Sequence, residues 1–208
     1  MYKLEITPED AGWAFCGLRI LPLGSHAFET GEDELIVLPL EGGAEVTVDG
    51  ESFTLRGRAG VFDGPTDFVY VPRDAHVEIA GEGRVALPSS RARNRLEPVF
   101  VDADRVAVEL RGAGRMSRQI NNFCGPDTGF ADRLIAVEVI TPGGNWSSYP
   151  PHKHDEDIPG VETALEEIYY FEVADGGFAY QRAYGPGIDI LEEVRSGDTV
   201  LLLSLIHI

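Results

Sequence analysis

The chain is poor in cysteine and in positive charge, and these shortages exclude several classes of protein. Its two cysteines, Cys16 and Cys124, lie far apart and form no CxxC pair, so neither a disulfide framework nor a thiolate metal site is expected. Only 17 basic residues stand against 35 acidic ones, and the net charge of −18 repels nucleic acid and anionic membrane surfaces. We therefore predict neither a nucleic-acid partner nor a membrane partner.

Targeting signals and long hydrophobic runs are also missing. Residues 1–13, MYKLEITPEDAGW, contain neither the basic start nor the apolar centre of a signal peptide. No stretch approaches the roughly 20 apolar residues that a membrane helix needs. A cytoplasmic protein is therefore expected.

Helical periodicity is nearly absent, and an alternation of apolar and polar residues takes its place. Apolar residues form short runs between Gly, Pro and Asp, such as LIVLPL at 35–40 and FVYVP at 68–72. These runs predict strands at 35–40, 44–48, 52–55, 68–72, 76–79, 84–87, 105–110, 134–141, 165–173, 177–184, 188–194 and 199–203. Asp49-Gly50, between two alternating segments, favours the positive φ angles of a tight hairpin turn. Many short strands joined by Gly-rich turns predict an all-β protein, with the antiparallel jelly roll as the natural candidate.

The chain divides into two halves with a similar order of features. The arginine-rich segment 88–98, PSSRARNRLEP, has a proline at each end and is typical of a linker. On either side of it, a strand, a Gly-Gly pair and a further apolar strand follow one another, which indicates two copies of one β module. We predict an N-terminal domain at 1–90, a linker and connecting strand at 91–110 and a C-terminal domain at 111–208.

Two of the five histidines lie one residue apart, in SYPPHKHDED at 148–157. On an extended segment His152 and His154 face the same side, close enough to share one metal ion, and the two prolines before them stiffen the approach. Two imidazoles favour a borderline divalent ion, with a carboxylate as third ligand. The next strand, ALEEIYYFEV, has Glu166 and Glu167, which face opposite ways. A chance pair of surface histidines is the alternative.

Three segments carry a family resemblance: RGAGRMSRQINNF at 111–123, RLIAVEVITPGGNWSSYPPHKHD at 133–155 and LEEIYYFEV at 165–173. They resemble the 5-deoxy-glucuronate isomerase family of bacterial inositol catabolism, a bicupin family related to the 4-deoxy-5-hexosulose-uronate isomerase of pectin breakdown. The resemblance covers most of the second half of the chain. It implies two jelly-roll barrels. Because the first module has no HxH pair, we interpret it as a degenerate barrel without a metal ion.

The resemblance also implies a metal site in the second barrel. Its ligands would be His152, His154, Glu167 rather than Glu166, and a distal histidine, and its ion would be zinc, with manganese or iron as alternatives. His207 lies in the register of the distal histidine, but the Pro, Gly and Tyr of the family's turn are missing. The final LSLIHI is also the translation of a transposon end used in sequencing libraries. We therefore expect a C-terminally truncated chain with an incomplete second barrel.

The implied reaction is the aldose–ketose isomerisation of 5-deoxy-D-glucuronate, a small sugar acid, by a protein that is a homo-oligomer when full length. A divalent ion stabilises the charge that develops when a proton leaves carbon, and a positioned base moves that proton. Tyr169 is the first candidate for this base, and Glu156 and Tyr149 are the others. Arg111 and Arg118 are candidates for binding the substrate carboxylate, since a guanidinium binds carboxylates in bidentate fashion. A structural ion pair is the equal alternative for both.

Other functions fit the same residues. A site of two histidines and one carboxylate also suits an iron-dependent dioxygenase. The uronate isomerase of pectin breakdown and a sugar-binding bicupin without catalytic activity are further alternatives, because cupins have many functions on one scaffold.

Overall fold

The structure is a computed structural model, and it describes residues 3–152, 154, 156–161, 163–185 and 187–203. The chain forms two compact units. The first consists of Met1–Leu110 and Gln119–Ile140, and the second of Arg111–Arg118 and Thr141–Ile208. The domain limits expected from the sequence stay a prediction.

Eleven strands begin before residue 141. They are β1 Leu4–Ile6, β2 Cys16–Pro22, β3 Ser25–Glu29, β4 Asp33–Val48, β5 Glu51–Arg58, β6 Phe68–Val71, β7 His76–Arg91, β8 Val99–Val101, β9 Ala107–Arg111, β10 Arg118–Cys124 and β11 Ala136–Ile140. Four more strands follow. They are β12 Glu166–Tyr170, β13 Ala179–Gly185, β14 Ile188–Val194 and β15 Thr199–Leu203.

Helices contribute little to the described residues. The one α-helix there, α1 at Pro8–Ala11, begins after Thr7, whose hydroxyl accepts a hydrogen bond from the Asp10 amide at 3.1 Å. Across the described ranges, no helix has the length and apolar character needed to cross a membrane. Short 3₁₀ turns occur at Val61–Asp63, Ala103–Arg105, Gly114–Met116, Pro126–Thr128 and Ala174–Gly176.

The first unit is organised by two strands of 16 residues, β4 and β7, which pair antiparallel along most of their length. Strand β4 pairs at its start with β6 and at its end with β5, while β7 pairs with β3 and then with β2. The first half of β4 and its second half both contribute to one apolar core, for example through Val37 and Val46. The sheet therefore curves around that core.

A second core covers the other face of β4. Ile36 and Leu38 pack there with Phe68 and Tyr70 of β6 and with Phe123 of β10. Because both faces of this part of β4 are buried, its sequence is a continuous apolar run and not an alternating one.

In the second unit, β12 pairs antiparallel with β15, and β13 pairs antiparallel with β14. Ala183 and Leu202 are buried there, with Tyr169 and Val200 packed against them. The strands confirm the predicted all-β class, and the antiparallel sheets of the described residues are consistent with jelly-roll cupin domains, although they do not close into barrels.

Candidate functional site

The two histidines of the HxH motif lie side by side. The ring centroids of His152 and His154 are 4.9 Å apart, and the ring planes meet at 75°. His152 Nδ1 is 3.3 Å from the carbonyl oxygen of Pro150. Since a carbonyl oxygen only accepts, this contact is a hydrogen bond in the neutral tautomer that has its proton on Nδ1, and in that tautomer the Nε2 lone pair is available for a ligand.

This segment is held by backbone contacts and not by a strand ladder. The Leu165 amide donates to the carbonyl oxygen of His154 at 3.0 Å, which ties the histidines to the start of β12. On the other side, the Arg118 guanidinium donates to the carbonyl oxygens of Tyr149 at 3.2 Å and Met116 at 3.0 Å. The loop before His152 is therefore fixed to the segment that ends at Arg118.

Arg118 was expected to bind substrate, and the structure shows contacts of another kind. Only 8 % of the residue is exposed, and both terminal nitrogens of its side chain donate to backbone carbonyl groups. Such contacts support the loop. The role of Arg118 in substrate binding stays a prediction, as does that of Arg111, which is exposed.

Glu167 lies on β12 opposite Leu202 of β15, and two residues further Tyr169 lies opposite Val200. The Oε2 atom of Glu167 is buried and has no hydrogen-bond partner among the described residues. Leaving a buried polar atom unpaired costs about 1–3 kcal/mol, and more when the group is charged. A ligand for this oxygen, such as a cation, removes that cost.

The Tyr169 side chain interacts with both Glu167 and Ser148. Burial raises the pKa of Tyr169 well above its usual range, and the neighbouring Glu167 carboxylate raises it further, while Ser148 acts in the opposite direction. Its hydroxyl group therefore keeps its proton at neutral pH. The other two candidate bases are in different surroundings, because Tyr149 is 47 % exposed and Glu156 is exposed as well.

Strand β13 adds a polar residue that the sequence reasoning missed. Gln181 is 6 % exposed, and its buried Nε2 atom has no hydrogen-bond partner in the part of the chain that the structure describes. Its neighbours Tyr180 and Arg182 are exposed, whereas Ala183, two residues on, is buried. The alternation in FAYQRAY contained this signal, since it places a glutamine on the same strand face as a buried alanine.

The donor set fits a divalent ion in its chemistry. It contains two adjacent imidazoles and a buried carboxylate oxygen that lacks a partner, which are ligand types common in zinc sites. In the part of the chain that the structure describes, no three His, Cys, Asp or Glu side chains are grouped closely enough to hold one ion. His207, the candidate for the distal ligand, lies outside the described residues.

The histidines of the first unit have hydrogen-bond partners within that unit. His76 Nδ1 is 2.6 Å from a carboxylate oxygen of Glu29, and His26 Nε2 is 2.9 Å from the carbonyl oxygen of Pro22. Both contacts lie on strands of the curved sheet or at its turns.

Comparison with known proteins shows the same family along the whole chain. The KduI/IolB family matches residues 1–207. The 5-deoxy-glucuronate isomerase of Geobacillus kaustophilus is 37 % identical over 96 % of this chain and 75 % of its own length. That of Bacillus subtilis strain 168 is 35 % identical over 93 % of this chain and 74 % of its own length.

A solved structure has the same fold. An IolB-like protein from Salmonella typhimurium LT2 superposes with a TM-score of 0.92 at 30 % identity, covering 99 % of this chain and 82 % of the other. Sequence and fold thus agree over nearly every residue, and the chain belongs to the KduI/IolB family.

Proposed function

We propose that the protein is an aldose–ketose isomerase that converts 5-deoxy-D-glucuronate to 5-dehydro-2-deoxy-D-gluconate in myo-inositol catabolism. The observation that carries the proposal is the match to relatives named 5-deoxy-glucuronate isomerase, at 35 % and 37 % identity over almost the whole chain. The match also spans about three quarters of those relatives, 75 % and 74 % of their lengths, and so includes most of the protein that bears the name.

We further propose that a divalent ion binds to His152, His154 and Glu167. Support comes from the adjacent imidazole rings and from the unpaired Oε2 of the glutamate. Zinc suits this donor set best, and manganese or iron is the alternative. When bound, the ion supplies Lewis-acid stabilisation of negative charge on the substrate oxygens.

The chain's own residues have the task of moving protons. Isomerisation takes one proton from the hydroxyl-bearing carbon to the aldehyde carbon, and another from the hydroxyl oxygen to the former carbonyl oxygen. Tyr169 stays the first candidate, and because its buried hydroxyl keeps its proton and interacts with Glu167, it suits best the donation of a proton to the former carbonyl oxygen. Glu156 and Tyr149 are the alternatives, and their exposure favours a role at the rim of the site.

The substrate carboxylate needs a cationic partner. Arg111, which is exposed, and Arg118, which donates to two carbonyl groups, are the candidates for this role. We propose a cytoplasmic, homo-oligomeric enzyme. The two free thiols, Cys16 and the buried Cys124, whose pKa burial raises to about 12, support a reducing compartment.

The test is turnover of 5-deoxy-D-glucuronate in D₂O, followed by proton NMR, together with measurement of bound metal. We expect product with deuterium on the carbon that receives the proton. His152→Ala and Glu167→Gln should each lower kcat/KM by about 100-fold or more and reduce the bound metal. His26→Ala, a histidine of the first unit, is the matched control and should behave as the wild type.

The outcomes separate the alternatives. Oxygen uptake without isomerised product would favour the dioxygenase, and turnover of the pectin-derived uronate in place of 5-deoxy-D-glucuronate would favour the other isomerase. Binding of the sugar acid without any turnover would indicate a sugar-binding protein.

A further inference from the structure

We propose that Gln181 is a substrate-recognition residue, whose side-chain amide donates a hydrogen bond to an oxygen atom of the bound sugar acid. The inference rests on the proposed function, because it takes a sugar acid as the ligand of the second unit. It adds a residue that no metal-ligand motif contains.

The strand pattern directs Gln181 inward. Along β13, Tyr180 is 60 % exposed and Arg182 is exposed, whereas Gln181 and Ala183 are 6 % and 8 % exposed. Ala183 belongs to the apolar cluster that includes Tyr169. Because residues two apart share one face of a strand, Gln181 lies on the face that packs towards Tyr169.

The second observation is the unpaired amide. Gln181 Nε2 is buried and has no partner among the described residues. The chain has one other glutamine, Gln119, and its Nε2 donates to the Asn121 side-chain oxygen at 2.8 Å. Nearly all buried amides in proteins are hydrogen-bonded, so the lone donor at Gln181 requires a partner beyond the described residues, and we assign that partner to the bound sugar acid.

The chemistry of the two unpaired atoms shows what that partner is. A side-chain NH₂ group has only hydrogens to offer, so it binds an acceptor oxygen and never a metal ion. The Glu167 Oε2 atom is an acceptor and requires a cation or a donor. A sugar acid bound at a metal ion satisfies both requirements, since its hydroxyl, carbonyl and carboxylate oxygens are acceptors.

The experiment measures binding of D-glucuronate, a sugar acid of the same class, to the full chain by isothermal titration calorimetry. Gln181→Leu removes the donor, and Gln181→Glu keeps the shape but presents a negative charge to the anion. We expect the Kd to rise about 10-fold for the leucine variant and further for the glutamate variant. Gln119→Leu is the matched control and should stay within about twofold of the wild type. Bound metal should be unchanged in all of them.

Thermal unfolding without ligand excludes a merely structural role. Gln181→Leu should have a Tm equal to or above that of the wild type, because it removes an unpaired buried amide, whereas Gln119→Leu should have a lower one. Wild-type Kd in both Gln181 variants, a lowered Tm for Gln181→Leu, or no binding of D-glucuronate by the wild type would each overturn the inference.

The two proposals fail in different ways. A wild type that binds D-glucuronate through Gln181 but does not isomerise 5-deoxy-D-glucuronate contradicts the isomerase proposal alone. A wild type that isomerises, with Gln181 variants that bind as tightly, contradicts the role of Gln181 alone.

Discussion

Among the described residues of the first unit, every buried side-chain nitrogen and oxygen atom has at least one hydrogen-bond partner. Glu34 is entirely buried, and its carboxylate accepts hydrogen bonds from the Tyr70 hydroxyl at 2.7 Å and from three consecutive backbone amides at 132–134, at 2.8, 2.5 and 2.6 Å. Charged acceptors with several donors are among the strongest hydrogen-bonding groups in proteins. Glu34 thereby fixes the chain before β11 to the sheet.

The Arg58 guanidinium also has hydrogen-bond partners for each of its three nitrogens. Its side chain is 3 % exposed and pairs with Glu138 through two bonds of 2.7 and 3.0 Å. It also donates to the carbonyl oxygens of Pro39 at 3.0 Å and Gly64 at 2.8 Å.

The second unit differs in the pairing of its buried polar atoms. Every buried side-chain atom found without a partner in the described residues belongs to it, namely Glu167 Oε2, Gln181 Nε2 and Thr199 Oγ1. Unpaired buried groups reduce stability, so a fold keeps them only where another requirement dominates. This difference supports the proposal that a ligand binds to the second unit.

The largest effect is expected where a buried charge loses its partner. Arg58→Met leaves the Glu138 carboxylate buried without its cation and should lower the free energy of unfolding by about 3–5 kcal/mol, measured by urea denaturation. Arg182→Met, which breaks an exposed pair with Asp189, is the control and should cost less than about 1 kcal/mol. Equal losses in the two variants would remove the contrast between buried and exposed pairs.

A smaller effect is expected from two matched tyrosines. Tyr70→Phe removes the donor to the Glu34 carboxylate and should cost about 1.5–3 kcal/mol in unfolding free energy, with activity per folded molecule unchanged. Tyr169→Phe should have a smaller effect on stability but lower kcat about 100-fold, because its hydroxyl faces Glu167. If Tyr169→Phe lowers stability and leaves kcat intact, the Tyr169 hydroxyl stabilises the fold and takes no part in catalysis.

A substitution of Glu167 should change stability and zinc binding in opposite directions. Glu167→Leu removes the unpaired oxygen, so the metal-free protein should gain about 1 kcal/mol in unfolding free energy while its bound zinc is lost. Glu166→Leu, the neighbour on the other strand face, should keep the metal. Calorimetry with and without zinc measures both quantities, and loss of metal only in Glu166→Leu would exchange the two assignments.

The smallest effect concerns pH and an exposed histidine of the first unit. The hydrogen bond to Glu29 raises the pKa of His76 above its unfolded value of about 6.5. Its contribution to stability is therefore complete below that pH and is lost as pH rises through the folded pKa. The Tm difference between the wild type and His76→Gln should be largest near about pH 6 and vanish near about pH 9. A difference that grows with pH would contradict this sign.

Part of the fold was predictable because its signal is local. The Asp49-Gly50 turn is confirmed by φ angles of 49° and 89°, and β5, β6 and β12–β15 lie close to the predicted runs. Strands β1, β2, β3, β8 and β10 were not predicted. In CGLRILP of β2, for example, burial follows no strict alternation, because neighbouring residues such as Leu18 and Gly17 are both buried.

The glycines of β4 and β7 were interpreted as strand ends, and this interpretation was wrong. Both strands continue through them, with Gly42 paired to Gly83. A Cβ atom on Gly42 would lie 1.9 Å from the Glu82 carbonyl oxygen, so the two backbones approach each other too closely for any side chain. Glycine here lets the backbones of β4 and β7 approach each other closely. The local sequence does not reveal this, because the partner strand lies about 40 residues away.

The sequence by itself determined the class of the protein, because alternation, turn residues and the HxH spacing act over a few neighbouring positions. It also contained the family motif and the candidate ligands His152, His154 and Glu167. Only the tertiary structure decided which buried polar groups have partners, since those partners come from distant strands. The Glu34 carboxylate is paired by amides 98 to 100 residues away in the sequence, whereas Gln181 Nε2 has no partner among the described residues.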